Sequence, residues 1–431
     1  MERALALIGL FIVTLWANAA GAVPVFKDEE KGIAVNVGVL VQPTFQITMP
    51  GSNGDGPGAC DPAGARNRCS AGIGNARGDG PAYDLFLRRA RLLVWGNATK
   101  DLAYFVGTNE PNLGKGGVLS TSPGTFIEDA FLSYTVMPEL KVDAGLMYVP
   151  LSHHTMEAAS SLNALDYHAD LIKFPTSRNL RDIGVQLRGL ALRDYLHYRL
   201  GIFEGVRNSA FGAVPANTSA AGAPANTRTL VNPGSVPRFS AQLRGNILGS
   251  EPDFFMKGIY FTEEPIVSVG VGVDFQPGSN ILPDGSHGNY LAASGDVFVD
   301  YPLTKDDEII FKGNYFLWAK GQSLAGSTGV VGASATAGGR VVATGPTAYG
   351  AQAFYVEGGF RHDFIEPIVY FEALKGNRET VSILAPHVGA NYWITKHNFN
   401  VKTDVGYRRT ERKNATTLKD ILWTTQAQFL F

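Results

Sequence analysis

Charged side chains are scarce in this chain: Asp, Glu, Lys and Arg make up 18% of 431 residues and nearly cancel, at a formal net charge of −2. No basic excess or tail is available to neutralise phosphates, which removes nucleic acid as a partner. Past the N-terminus no run of about 18 apolar residues occurs, and that excludes a bundle of membrane-spanning helices. Only two cysteines occur, Cys60 and Cys69, and neither sits in a C-x-x-C-H haem motif. Glycine and aromatics are plentiful instead, with 50 Gly, 16 Tyr and 25 Phe in a chain that is 45% hydrophobic. Such a composition is too apolar for a disordered polymer. Hydrophobicity is therefore present in short pieces and missing in long ones.

Met1-Glu-Arg3 precedes an apolar run from Ala4 to Trp16 and then Ala17-Asn18-Ala19-Ala20-Gly21-Ala22. A positive residue, a short apolar stretch and small residues at A-x-A spacing describe a secretory signal peptide over 1–22, cleaved after Ala19 or Ala22. A membrane anchor is the alternative, for which the run is short. The remainder, 23–431, is expected to be one exported domain. Cys60 and Cys69, close together in a Gly/Pro/Asn-rich stretch, then read as a disulfide that pins a loop.

From Ile33 onward the pattern has period two. Ile33, Val35, Val37, Val39 and Val41 share one face, opposite Ala34, Asn36, Gly38 and Gln42; Val267, Val269, Val271, Val273 and Phe275 oppose Ser268, Gly270, Gly272, Asp274 and Gln276. Alternation of this kind marks strands wetted on one side. Strands are expected near 32–48, 83–97, 101–110, 125–137, 139–149, 181–192, 195–206, 237–248, 265–277, 290–302, 306–319, 349–362, 366–376, 382–394, 398–409 and 419–431. That is about sixteen segments, long enough to cross a bilayer when tilted. Tight connections at 97–101, 137–139, 192–195, 302–306 and 395–397 alternate with long Gly/Ala/Ser/Pro-rich stretches at 49–82, 150–180, 206–236 and 320–348. An all-β transmembrane antiparallel barrel has this construction, with short periplasmic turns and long extracellular loops. A soluble pair of sandwiches would need a continuous apolar interior, whereas the second face here carries Arg, Asp, Gln, Asn and Gly. Tyr104, Tyr134, Tyr148, Tyr301, Tyr392 and Trp423, near strand ends, are expected in interfacial girdles.

Asp84-Leu-Phe-Leu-Arg-Arg-Ala-Arg-Leu92, Glu128-Asp-Ala-Phe-Leu-Ser-Tyr134, Arg181-Asp-Ile-Gly-Val-Gln-Leu187, Gly295-Asp-Val-Phe-Val-Asp300 and Gly389-Ala-Asn-Tyr-Trp-Ile394, in this order, resemble the phosphate-selective porins O and P. The resemblance runs from about residue 32 to the C-terminus, with gaps at the long loops. It implies a sixteen-stranded outer-membrane porin, usually a homotrimer, whose third extracellular loop folds into the pore. It also implies passage of phosphate-type anions along inward arginines. Residues 150–180 occupy that loop's place.

With the apolar face toward lipid, parity places Arg89, Arg91, Lys141, Arg188, Arg199, Arg238 and Arg244 in the lumen among the first eight strands, with Asp129, Asp143 and Asp182. Among the last eight it places Lys312, Arg361, Lys402 and Arg408 against Asp274, Asp296, Asp300, Glu357, Glu372 and Asp404. Arg88 falls on lipid parity. The expectation is a water-filled pore, basic on one wall and acidic on that of Asp274, Asp296 and Asp300, with weak to moderate anion preference. Lys173, Arg178 and Arg181 of the third loop, backed by Arg89 and Arg91, form the expected anion-attracting patch. A plainer role is open to every one of these cations: pairing with a nearby carboxylate, or tying the loop to the wall.

A metal is not expected at His153, His154 and Glu157, because adjacent loop histidines seldom meet ligand geometry. No cofactor is called for. A barrel esterase would need Ser152-His153-His154 or Ser160-Ser161-Asn163 in a fixed nucleophile–base geometry, and no matching motif surrounds them. The reading is of a channel and not of an enzyme, its partners being membrane lipid and small polar or anionic solutes. A structural or electron-conduit barrel with a plugged lumen is the other class.

Overall fold

The computed structural model describes residues 23–50, 81–115, 124–168, 180–205, 236–281, 287–318, 334–337, 340–343, 351–376, 381–412 and 417–431. The expected leader 1–22, both cysteines of the expected disulfide, Lys173 and Arg178 lie outside them. Among the described residues nineteen strands run in the order β1 (Val23–Asp28), β2 (Ile33–Pro50), β3 (Ala82–Asn97), β4 (Leu102–Leu113), β5 (Phe126–Met137), β6 (Leu140–Tyr148), β7 (Arg181–Ala191), β8 (Leu196–Phe203), β9 (Arg238–Leu248) and β10 (Ile266–Ile281). β11 (His287–Pro302), β12 (Asp307–Trp318), β13 (Ser334–Ala337), β14 (Arg340–Ala343), β15 (Ala351–His362), β16 (Ile365–Gly376), β17 (Val381–Thr395), β18 (Phe399–Arg412) and β19 (Leu418–Leu430) follow. One helical turn, α1 (His153–Met156), lies between β6 and β7.

Sixteen of the strands, β2–β12 and β15–β19, pair each with the next, and β19 pairs back to β2. Every pairing is antiparallel, so the sheet closes into a barrel and has no unpaired edge. β13 and β14 make a separate hairpin. β1 was not expected; it lies beside Ile33–Val37 of β2, along the same edge that β19 uses from Leu40 to Pro50. Val39 exchanges two backbone hydrogen bonds with Phe431, 2.6 and 3.1 Å, so the first and last strands share one line beside β2.

Alternation decides inside from outside. Val271 is 60% exposed on the outer surface, whereas Phe298 is fully buried inside. Outward residues are apolar along the strands, among them Val185, Leu243, Val269, Val369 and Val388. Tyr134, Tyr301, Tyr392 and Trp423 are exposed as expected of girdle residues, but Tyr148 is 1% exposed and turns inward beneath Arg181.

Two β-bulges overturn the parity reading locally. Pro43 pairs with Leu87 and Val41 with Ala90, so Arg88 and Arg89 together face one residue, Gln42. Proline cannot donate to the ladder, and bulges are where strands tolerate it. Between β4 and β5, Gly107 faces Asp129 and Thr108 faces Ile127, which leaves Glu128 extra. Arg88 and Glu128, both of lipid parity by counting, consequently have partners inside the barrel.

The second departure concerns a connection. The segment between β9 and β10, residues 249–265, lies at the end of the barrel where the other connections are tight, yet it spans 17 residues. It folds into the lumen, with Met256 and Ile259 fully buried.

Candidate functional site

Two inserted segments, the third loop from residue 149 and the turn 249–265, meet inside the barrel. Glu157 and Met256 form a parallel bridge. Met256 donates its N–H to the carbonyl of Met156 at 3.0 Å and accepts from Ala158 N–H at 3.1 Å, while Gly258 N–H reaches the carbonyl of Ser161 at 2.7 Å. Backbone groups removed from water need such partners, and here each segment satisfies the other. Apolar islands on the wall receive them. Met156, Phe254 and Met256 pack with Phe131, Met147, Tyr148 and Phe203, and Ile259 packs with Ile310 and Trp393. Burial of each such side chain contributes about 1.5–3 kcal/mol.

The third loop crosses the full width of the lumen, and polar wall residues hold it point by point. His153 N–H donates to Asp296 of β11, and Lys312 of β12 bonds Glu157 at 3.2 Å. Gln42 of β2 and Gln428 of β19 donate to the carbonyls of Ala159 and Ser160. Lys402 of β18 donates to three successive carbonyls, Leu162, Asn163 and Ala164, while Glu366 of β16 accepts from Asn163. Asp166 then binds Arg88 and Arg89 of β3, and His168 lies between Glu357 of β15 and Glu372 of β16, 3.2 Å from each.

Charge states within the inserted segments follow from these contacts. Burial disfavours the Asp166 carboxylate, but Arg88 and Arg89 more than reverse this and hold its pKa well below the usual range. Burial likewise disfavours the His168 cation; hydrogen bonds to Glu357 and Glu372 outweigh it and push the pKa up to about 9. Glu251 of the inserted turn is buried as well, yet His153 and Arg244 keep it ionised far below the ordinary value. For His154 burial outweighs the opposing pull of Glu157 and lowers its pKa.

The seven described arginines of the expected anion-binding set, Arg89, Arg91, Arg181, Arg188, Arg199, Arg238 and Arg244, all turn inward. Arg89 pairs with Asp166, Arg91 with Glu128, Arg181 with Asp129 and Glu128, and Arg188 with Asp143 at 2.7 Å. Arg238 grips Asp274, its Nε at 2.7 Å, and Arg244 binds Asp296. The expected separation into facing basic and acidic walls is therefore corrected. β9, β10 and β11 are adjacent, and Gly270 stands in register between Arg244 and Asp296, so the two side chains join across a residue that has none. Asp300, the third residue of the expected acidic wall, accepts the Tyr260 N–H of the inserted turn at 2.6 Å. Glu308 and Glu366, both fully buried, are lumen carboxylates that counting by parity offered and the sequence reading passed over.

One row of cations is only partly paired. Register places Lys141, Arg188 and Arg199 side by side on β6, β7 and β8. Like charges directly opposite each other in a sheet are destabilising. Arg188 has Asp143, but among the described residues no carboxylate oxygen comes within ion-pair distance of Lys141 or Arg199. Among the described residues the fully buried Arg199 bonds the carbonyls of Asp253 and Phe254 and leaves Nε and Nη1 without partners.

A cavity of about 1070 Å³ opens at the short-turn end, between the inserted turn and the turns after β11, β15 and β17, with Phe261, Arg361, Trp393 and Lys396 in its lining. Ser152 bonds Thr155, and Ser161 bonds the carbonyls of Ala158 and Met256. Among the described residues no His, Cys, Asp and Glu group is arranged to hold a metal ion.

No family model matches the chain, and no curated protein matches it by sequence. Solved structures match it in fold. The outer-membrane channel DcaP of Acinetobacter baumannii aligns over 94% of this chain and 99% of its own, at 12% identity and a TM-score of 0.52. OmpF of Salmonella typhi, in complex with daunomycin, aligns over 94% and 100%, at 12% identity and 0.52. The chain has the fold of an outer-membrane porin: a closed antiparallel barrel of sixteen strands with a segment folded into its lumen.

Proposed function

We propose that this protein is a porin of the outer membrane, exported by the 1–22 leader, that lets small hydrophilic solutes diffuse passively and prefers anions weakly. The observation that carries this reading is a closed barrel with an apolar exterior and a charged interior crossed by the third loop. Apolar residues facing lipid and polar ones lining a lumen are the division of labour of transmembrane barrels. The preference is weak because most of the inward arginines, Arg188 among them, already hold carboxylates, and what favours anions is Lys141 and Arg199 on either side of Arg188. A tight phosphate site, as the resemblance to porins O and P implies, needs several forked donors left free for the ion. Phosphate is accordingly one anion among others here. A homotrimer, also implied by that resemblance, belongs to the same reading.

The test is the reversal potential of purified protein across a bilayer in a salt gradient. A shift toward the chloride potential supports the reading; clear cation selectivity overturns the anion preference. The inserted turn supports a second reading, a barrel plugged in its resting state, for which folded, inserted protein would carry no current.

A further inference from the structure

Phe254 of the inserted turn is seated where a ligand would be. Its ring stacks on Phe131, centroids 4.3 Å apart and planes 29° from parallel, and the guanidinium groups of Arg188 and Arg199 lie 5.3 and 5.4 Å from its centroid. Its carbonyl oxygen accepts from Arg199 Nη2 at 2.9 Å. A flat ring with an oxygen acceptor beside it therefore fills a slot built of an aromatic floor and two guanidiniums. The match is incomplete in one respect: the acceptor is neutral. Among the described residues, Arg199 retains two unpartnered nitrogens in full burial, and Lys141, two strands away in the same row, has no carboxylate within ion-pair distance. Buried charge without a counter-charge is costly, and buried polar atoms without partners are few in native proteins. A carboxylate in place of the carbonyl would meet that demand through charge-assisted bonds.

From this geometry we infer that the slot of Phe131, Arg188 and Arg199 is a binding site for aryl carboxylates, occupied in cis by Phe254 and filled by solute when the inserted turn moves aside. The inference rests on the channel reading and names a solute class for it. Aromatic stacking selects a planar ring over a saturated one, and Arg199 with Lys141 selects the acid over a neutral arene.

The probe is benzoate, with acetate and cyclohexanecarboxylate as controls, titrated calorimetrically into folded, detergent-solubilised barrel. Phe254→Ala vacates the slot and is expected to bind benzoate at least about tenfold more tightly than the native chain, with no comparable gain for either control. Adding Arg199→Gln should abolish the gain. Equal gains for cyclohexanecarboxylate, no gain for benzoate, or a gain that survives Arg199→Gln each overturn the inference. In case Phe254→Ala fails to fold, benzoate should block chloride current through the native protein at about one tenth of the acetate concentration, and equal block would overturn it. Native protein without conductance would fail the channel reading alone, since the titration needs no current.

Discussion

Arg88 and Arg89 are consecutive residues of one strand, yet both guanidinium groups reach the same carboxylate, that of Asp166, at 2.5 and 2.6 Å. Regular strand geometry forbids this, because neighbours point to opposite faces. The bulge opposite Gln42 permits it, and Arg91 and Arg181 meet the matching pair of acids, Glu128 and Asp129, beside a second bulge two strands further on. Asp166→Asn removes the shared anion and leaves two inward cations together. Breaking one side of a largely buried pair costs about 3 kcal/mol, so the loop should loosen and single-channel current should become larger and noisier. Unchanged current and unchanged proteolysis of the loop would refute the anchor.

His168 gives the loop a pH dependence. Its pKa is about 9 in the folded protein against 6.5 in the open chain, so the clamp to Glu357 and Glu372 is fully present below 6.5 and fades as pH rises through 9. His154, Tyr355 and Tyr370 are the other titratable rings in contact with it. Loop protection measured by hydrogen exchange should fall between these two pH values in native protein. In His168→Gln it should already be low at pH 6 and change little.

Two glycines set how closely the inserted segments approach their neighbours. A side chain on Gly258 would begin 2.3 Å from the Asn163 nitrogen, and one on Gly272 of β10 would begin 1.8 Å from the Leu151 carbonyl. Gly258→Val should prise the turn from the loop, and Gly272→Val the loop from the wall, each raising conductance by roughly twofold or more while the barrel persists, since the interior tolerates no overlap. Conductance at the native level in both variants would show that neither contact narrows the passage.

The outer surface is tested at Val271, 60% exposed near the middle of β10. Arginine there faces hydrocarbon and should cost about 2–4 kcal/mol in refolding into lipid, whereas leucine should be neutral. Equal stability of Val271→Arg and Val271→Leu would mean that this face does not meet lipid.

The barrel itself was legible because period-two alternation runs through most of each wall strand and tight and long connections largely alternate. Four details were not. Arg88 and Glu128 escaped because one extra residue at a bulge shifts parity, and only the Pro43 in mid-strand hinted at the first. The turn at 249–265 escaped although the residues between the strands expected at 237–248 and 265–277 fall on the side of the tight connections; counting sides through the chain would have exposed it. The pairing of Arg238 with Asp274 and of Arg244 with Asp296 depends on register between strands, which alternation within one strand does not contain. The isolation of Arg199 follows from the same register.

Single-channel recording in planar bilayers, native protein beside Gly258→Val, tests most directly whether the lumen is a solute passage narrowed by two joined segments. Expected are discrete conductance steps for the native barrel and larger steps for the variant. Folded and inserted protein that gives no steps in either form would contradict it.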